Sequence, residues 1–566
     1  MQRLLCCCAG RIVRPGPTRV GVSRLHAGMA AAASAAAAGR PQPAYQPSNK
    51  EFAVPGLAAQ SPWNQKALDI KYPPLREDIT ADVVVIGAGI AGLSCAYNLA
   101  KEGKKVVVLE TRTRGAGQTG RTTAHIMAWL DDFYYECESM HGKEKTRIVA
   151  QSLHGAADWI ENVVREEGIE CKFCRLDGYL YPHFTGESPM PTSSTSALKK
   201  ELDAAKRAGL EDTEWVDLGG GPEVGGIREC LRFTNNAEFH PLMYLEGLAE
   251  AVVRHGGKIF EGTKSWKAEA DRVETVDGHT IKCDAHVMAT NSPCNHNLAV
   301  HARQLPYRTY AVGILIARDK VKRALYWDTA EPYHYVRFDD WDDKNLLMIV
   351  GGEDHKTGSL WPYDPYARLE KYARARWTEA GETILRWNGQ VMEPADLLYL
   401  HGHNPVVPDG NSYIITGDSG QGMTGGTIGG IVVADLIMGR KNPWADVYSP
   451  SRPPPLKSLL EVAEEGAVTT ASFAERVLPL AAPKHDMEAD SGTVVQSGLH
   501  KVAVYCDEHK VQHAYSAVCP HMGCIIHWNS LEKTFDCPCH GSHFDRFGKA
   551  SAARAHRPLL GALLAV

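Results

Sequence analysis

Two short runs near the C-terminal end carry residue types that hold metals: Cys519-Pro-His521 and Cys537-Pro-Cys539-His540. Each run offers one thiolate and one imidazole. Thiolates of Cys519 and Cys537 on one iron, with imidazoles of His521 and His540 on the other, make the donor set of a mixed-ligand [2Fe–2S] centre. Histidine ligation raises the potential of such a centre above that of all-cysteine clusters. A Cys₂His₂ zinc site is the competing reading. Zinc usually takes those ligands as two pairs from a hairpin or helix, whereas here each run carries a further cysteine, Cys524 or Cys539.

A second constellation lies nearer the N-terminus. The apolar run Asp82–Ile86 leads straight into Gly87-Ala-Gly89-Ile-Ala-Gly92 and a helical stretch, and a second apolar run, Val106–Leu109, ends in Glu110. Short, nearly all-apolar runs fit buried parallel strands. In a dinucleotide-binding turn Gly87 permits the sharp bend, Gly89 lets the backbone approach a pyrophosphate, and Gly92 lets helix and strand pack closely. The helix N-terminus offers N–H groups and partial positive charge to phosphate. Glu110 stands where a carboxylate accepts hydrogen bonds from ribose hydroxyls. A purely structural glycine turn is the alternative, and the strand, helix, second strand and terminal acid in register argue against it.

Two further segments choose the nucleotide. Thr111–His125, TRTRGAGQTGRTTAH, resembles the loop that lines the pyrophosphate and isoalloxazine in flavoproteins of the D-amino-acid oxidase and sarcosine oxidase family. The resemblance implies cofactor contacts for Gly117, Arg121 and Thr122. The strand Tyr413–Thr416 leads into GDSGQGMTGG, which is similar to that family's closing motif and carries Gly417, Asp418, Gly422, Met423, Thr424 and Gly425 into the flavin site. A helix starting there would aim its positive end at the flavin and stabilise a reduced anion. A glycine-rich packing turn is the other reading. No second G-x-G-x-x-G follows a strand, so FAD is the expected cofactor.

The C-terminal runs resemble the Rieske iron–sulfur subunits of respiratory and photosynthetic complexes, which implies a Cys524–Cys539 disulfide tying the two cluster loops together. Ser542 can donate a hydrogen bond to a cluster sulfur. Phe544 stands where the high-potential subunits carry Tyr, so a potential below theirs is expected. After Gly548 the chain departs from the pattern: KASAARAHRPLLG replaces the Pro-containing loop that shields the cluster in those subunits. A flavodomain followed by a Rieske domain resembles a family of FAD-dependent oxidoreductases with a C-terminal Rieske domain, from about Trp63 to Leu559.

These sites need elements to position them, and 566 residues suggest two or three domains. The expected fold is α/β and α+β: a Rossmann-like FAD-binding domain with an inserted substrate domain over 63–448, then a linker with a helix over 449–484. A small all-β Rieske domain over 485–566 follows. Phe239-His240-Pro241 opens a helix, with His240 a cap rather than a catalyst. Cys171 and Cys174 lie in an alternating segment that reads as strand. Candidate substrate residues are His125, as base or flavin contact, and Arg308, Tyr310, Tyr335 and Arg337 on expected strands, where an arginine could clamp a carboxylate. A structural role is the alternative for each.

Composition bounds the rest. Seven of the 61 basic residues and none of the 67 acidic ones fall in the first fifty, an Arg- and Ala-rich leader that reads as an organellar transit peptide. Mitochondrion is favoured over chloroplast, and a disordered extension is the alternative. The remainder carries 54 basic against 67 acidic residues, a net of −13, which argues against nucleic acid as a partner. No transmembrane span is expected. The expected activity is oxidation of a small amine or amino acid at FAD, with single electrons passing through the cluster to an outside one-electron acceptor. Its rivals are hydroxy-acid oxidation, or reduction with electrons entering from a donor through the cluster. A redox sensor or assembly protein without turnover is a third.

Overall fold

Ile79–Ile86, rich in β-branched residues, sits mid-sheet where both faces are covered. In the computed structural model it pairs in parallel with Val106–Leu109 on one side and Thr280–Met288 on the other. Lys258–Phe260 and Ser412–Thr416 extend the parallel sheet at its two sides, and Leu400–His403 closes one edge antiparallel. The described residues are 61–64, 71–183, 192–293, 298–359, 363–407, 410–459, 475–476, 486–521, 523–539, 541–552 and 559–560. The leader over 1–50, most of the linker 449–484 with all but the first turn (456–459) of its expected helix, and the expected ligand His540 lie outside them.

Helix Ile90–Lys101 follows the first strand and packs against helix Gly422–Ile437 almost without side chains between them. A Cβ on Gly430 would stand 2.6 Å from Ser94 Cβ, and one on Gly426 would stand 2.9 Å from Ile90 Cγ2. Helix Pro241–Arg254 covers the same core, which joins Val83, Val85, Leu93, Leu248 and Val433. His240 caps that helix, its Nδ1 accepting from Met243 N–H at 3.2 Å. Cys171 is buried just before strand Cys174–Tyr181, and both cysteines are free thiols.

A second sheet has nine strands. Its long strands Gln304–Ala317, Asn345–Lys356 and Thr383–Pro394 are antiparallel, with Thr383–Pro394 at the edge. The register between Gln304–Ala317 and Asn345–Lys356 shifts at Arg308/Tyr310, where Glu353 adopts φ +57°. Such a bulge bends the strand and re-aims its side chains. The C-terminal part forms two small antiparallel sheets, Ser491–Ser516 and His527–Ala552. Among the described residues no helix is long and apolar enough to cross a membrane.

Candidate flavin and iron–sulfur sites

The glycine turn is tight enough to exclude side chains. Gly87 adopts φ +108°, and a Cβ on Gly92 would stand 1.9 Å from Gly87 O. Glu110, at the end of the second strand, accepts from Ala88 N–H at 3.0 Å and Arg112 N–H at 2.9 Å, so it braces the turn from the ribose side. Gly89 supplies no side-chain cap to helix Ile90–Lys101, and Gln421 supplies none to helix Gly422–Ile437. Ile90 N–H is taken by Thr119 Oγ1 at 3.1 Å, and the remaining N–H groups of the two first turns are left for a ligand. The Gly426–Ile90 approach brings these two helix starts together. Thr424 Oγ1 accepts from Met127 N–H at 3.1 Å, while Thr122 Oγ1 accepts from Ala124 N–H at 3.0 Å. Gly117 precedes the turn Gln118–Arg121, and Arg121 donates to Asn388 O at 3.3 Å; burial lowers its pKa to about 10. Gly417 adopts φ +74°, Met423 is buried, and Gly425 leaves room for the Tyr399 ring. Asp418 accepts from Met392 N–H at 2.9 Å, and burial raises its carboxyl to about 6. A cradle of this shape, with first-turn N–H groups at both helix starts, fits FAD.

The substrate candidates need correction. Arg308 is buried and reaches across to the C-terminal lobe, 3.5 Å from Glu532 and 4.0 Å from Asp536, so it is not a substrate clamp. Arg337 is fully buried, donates to Ala124 O at 2.9 Å, pairs with Glu238 and Asp339 at 3.2 Å each, and lies over the Trp63 ring. It braces the 122–125 loop. His125 lies in the edge pairing with Glu238, and burial, then Arg337, push its pKa down to about 3, too low for a base near neutrality. Tyr335 packs edge-on to His125 at 5.5 Å and shares a hydrogen bond with Thr309 at 3.0 Å. Tyr310 stacks on His355 at the inter-lobe face.

Residues that no local motif announces gather instead at the Gly417–Gly422 turn. Tyr333 donates to Asp131 Oδ2 at 2.9 Å, and Ser419 Oγ lies 3.0 Å from Asp132 Oδ2 and 2.8 Å from Glu393 Oε2. One hydroxyl proton cannot serve two carboxylates, so the second contact needs a proton on a carboxyl group. Burial, then Asp132, hold Glu393 well above the usual carboxylate range. Asp354, beside the bulge, is raised to about 7 by burial, and its Oδ1 has no hydrogen-bond partner among the described residues. Asp354 and Glu393 are half-buried, and the charges of Asp132, Asp131 and Asp354 all bear on Glu393.

The two cysteine loops share one backbone pattern. Cys519 N–H donates to Cys524 O and Gly523 N–H to Cys519 O; likewise Cys537 N–H donates to Ser542 O and Gly541 N–H to Cys537 O. This repeat, written in the sequence as CPHMGC and CPCHGS, is a signal that ligand spacing alone misses. Cys524 and Cys539 form a disulfide, with Cα atoms 6.6 Å apart. Cys519 and Cys537 are buried, and Ser542 Oγ is buried without a hydrogen-bond partner among the described residues. An orphaned hydroxyl beside paired cysteine loops fits a sulfur-bearing cluster. Phe544 is fully buried in the core of this lobe.

The lobe docks on the flavin part of its own chain. The His521 ring lies 5.9 Å from the ring of buried His301. Glu532 receives Arg308, Asn388 and, at 3.0 Å, the Tyr366 hydroxyl. A Cβ on Gly358 would stand 2.9 Å from Pro538.

A nucleotide-binding sheet whose two helix starts converge, joined to a lobe of paired cysteine loops, defines a class: flavin-dependent oxidoreductases carrying an iron–sulfur domain. The chain belongs to the FAD dependent oxidoreductase family, whose model matches residues 82–436, and its C-terminal part matches the Rieske [2Fe-2S] domain over 478–562. It is thus an enzyme with FAD and a [2Fe–2S] centre. It is similar to the Rieske 2Fe-2S iron–sulfur protein YhfW of Bacillus subtilis, 29% identical over 90% of this chain and 98% of that one. It is also similar to gamma-glutamylputrescine oxidoreductase of Escherichia coli, 28% identical over 65% of this chain and 87% of that one. The structure of L-proline dehydrogenase from P. horikoshii shares the fold, with TM-score 0.54 and 19% identity over 66% of this chain and 98% of that one.

Proposed function

We propose that the protein oxidises a small amine that is cationic in solution and delivers the electrons singly, through the cluster, to an outside acceptor. FAD supplies hydride acceptance and the cluster supplies one-electron transfer. The observation that carries the substrate class is the cluster of Asp131, Asp132, Asp354 and Glu393 around the Gly417–Gly422 turn. A cationic nitrogen offsets their mutual repulsion, whereas a substrate carboxylate would add to it. Arg308 and Arg337, the arginines that could have held a carboxylate, are engaged elsewhere. The name of the Escherichia coli relative, an oxidoreductase of a putrescine derivative, agrees with an amine.

An ammonium must lose a proton before its α-carbon can yield hydride. Asp354 Oδ1, unpartnered and on a carboxyl raised to about 7, receives that proton. Only the ionised form accepts, so kcat/KM rises with pH through about 7 and is lost below it. Asp354→Asn removes that limb and lowers the rate by about 10²–10⁴. The test is anaerobic mixing with amines, amino acids and hydroxy acids across pH, following flavin bleaching and the reduced-cluster EPR signal. Bleaching by hydroxy acids alone overturns the reading, and cluster reduction by a protein donor without bleaching reverses the direction. We also propose that residues 1–50 direct the chain to an organelle, mitochondrion first; a fluorescent fusion of those residues that stays cytosolic rejects this.

A further inference from the structure

We propose that Gln390 is the positioning residue that ties the flavin side of the molecule to the cluster lobe. The inference rests on the reading above that both centres serve one reaction. Gln390 lies in the edge strand Thr383–Pro394. Its backbone N–H donates to Gln118 Oε1 at 2.8 Å, and Gln118 opens the Gln118–Arg121 turn of the flavin-lining loop. Two residues on, Met392 N–H donates to Asp418 Oδ1, so the strand is fastened to both flavin-side loops. The Gln390 carboxamide oxygen lies 2.5 Å from His543 Nε2, and His543 Nδ1 lies 2.7 Å from Asp536 Oδ1. Asp536 precedes the ligand Cys537. One residue therefore spans the distance between the flavin loop and the cluster loop.

The facing surface is shaped to receive this side chain. Gly541, in the second cluster loop at φ +70°, leaves the room: a Cβ there would stand 2.0 Å from Gln390 Nε2 and 2.8 Å from Pro306 Cβ. Gln390 is 1% exposed. A carboxamide at that depth costs free energy unless hydrogen-bonded, and an apolar side chain of similar size would avoid that cost. Its presence therefore marks orientation: it sets the lobe's angle and depth against the flavin loops.

The test uses full-length holoenzyme with the flavin reduced by light and a sacrificial donor, which removes any dependence on substrate. It reads the rate at which the reduced-cluster EPR signal appears, the iron content, the g values at full reduction, and amide hydrogen exchange over 541–545. Gln390→Leu is expected to keep iron, flavin and final signal, to exchange faster over 541–545, and to slow the signal's appearance by about tenfold or more, as small misplacements of reacting centres do. Gln390→Glu keeps the side-chain length and an oxygen toward His543, whose ring then holds protons on both nitrogens between that carboxylate and Asp536, and should restore the rate. Gln390→Asn, one methylene short, carries the same test if leucine costs the protein its iron. Parental rates and exchange in Gln390→Leu or Gln390→Asn overturn the inference. If the parent's cluster gains no electrons from photoreduced flavin, the functional reading fails instead, and this inference with it.

Discussion

Ser542 Oγ is fully buried and unpartnered among the described residues, a position that costs about 1–3 kcal/mol unless an acceptor takes its proton. A cluster sulfur is the acceptor that the neighbouring cysteine loops imply. A hydrogen bond to such a sulfur favours the reduced, more negative state. Ser542→Ala should therefore lower the midpoint potential by about 60–130 mV, the equivalent of one charge-assisted hydrogen bond in a one-electron couple. Iron content should not change. Potentiometric titration followed by EPR checks this, and an unshifted potential removes the role. Phe544 brings no hydroxyl to the same lobe, consistent with a potential set by fewer donors. The same scale explains why two conspicuous arginines are not substrate ligands. A buried guanidinium must be paired, and each has its carboxylate partners within the protein.

Between elements, close approach decides most of what the site can be. Helices Ile90–Lys101 and Gly422–Ile437 meet through glycine, and a Cβ on Gly430 would lie 2.8 Å from Cys95 N as well as against Ser94. Gly430→Ala must push the helices apart, and with them the two N-termini that face the cofactor. The expected cost is about 1–3 kcal/mol of stability together with weaker FAD retention. Thermal unfolding and the flavin-to-protein absorbance ratio report the two effects separately. In the cluster lobe the disulfide spans 15 residues, and a cross-link of that length contributes about 3 kcal/mol by restricting the unfolded chain. Cys524→Ser should lower the unfolding temperature of the lobe and its iron content together. Retention of full iron would show that the loops hold the cluster without the bridge.

At the scale of the whole chain, the docked lobe is held by charges that have left water. Arg308, Glu532 and Asp536 are each under one-tenth exposed. Arg308→Met strands two buried carboxylates, and breaking such a pair costs roughly 3–5 kcal/mol. Limited proteolysis should then cut between 449 and 485 sooner than in the parent, and an unchanged cleavage rate would locate the docking energy elsewhere. The expected cluster donors Cys519, His521, Cys537 and His540 and the glycine turn at 87–92 stand out in the chain because each is a local pattern: ligand spacing in one case, strand–turn–helix periodicity in the other. The same locality made Asp82–Ile86 of the first strand, Val106–Leu109 and the His240 cap readable. The acid cluster, the fate of Arg308 and the role of Gln390 are not local. Asp131 meets Tyr333 across 202 residues and Gln390 meets His543 across 153, through a sheet register that a one-residue bulge at Glu353 alters. Sequence by itself determined which cofactors this protein holds, since each of their binding motifs is a short local run. Only tertiary structure decided what surrounds the substrate and how the two centres face each other, because those contacts depend on the register of distant strands and the docking of one lobe on another.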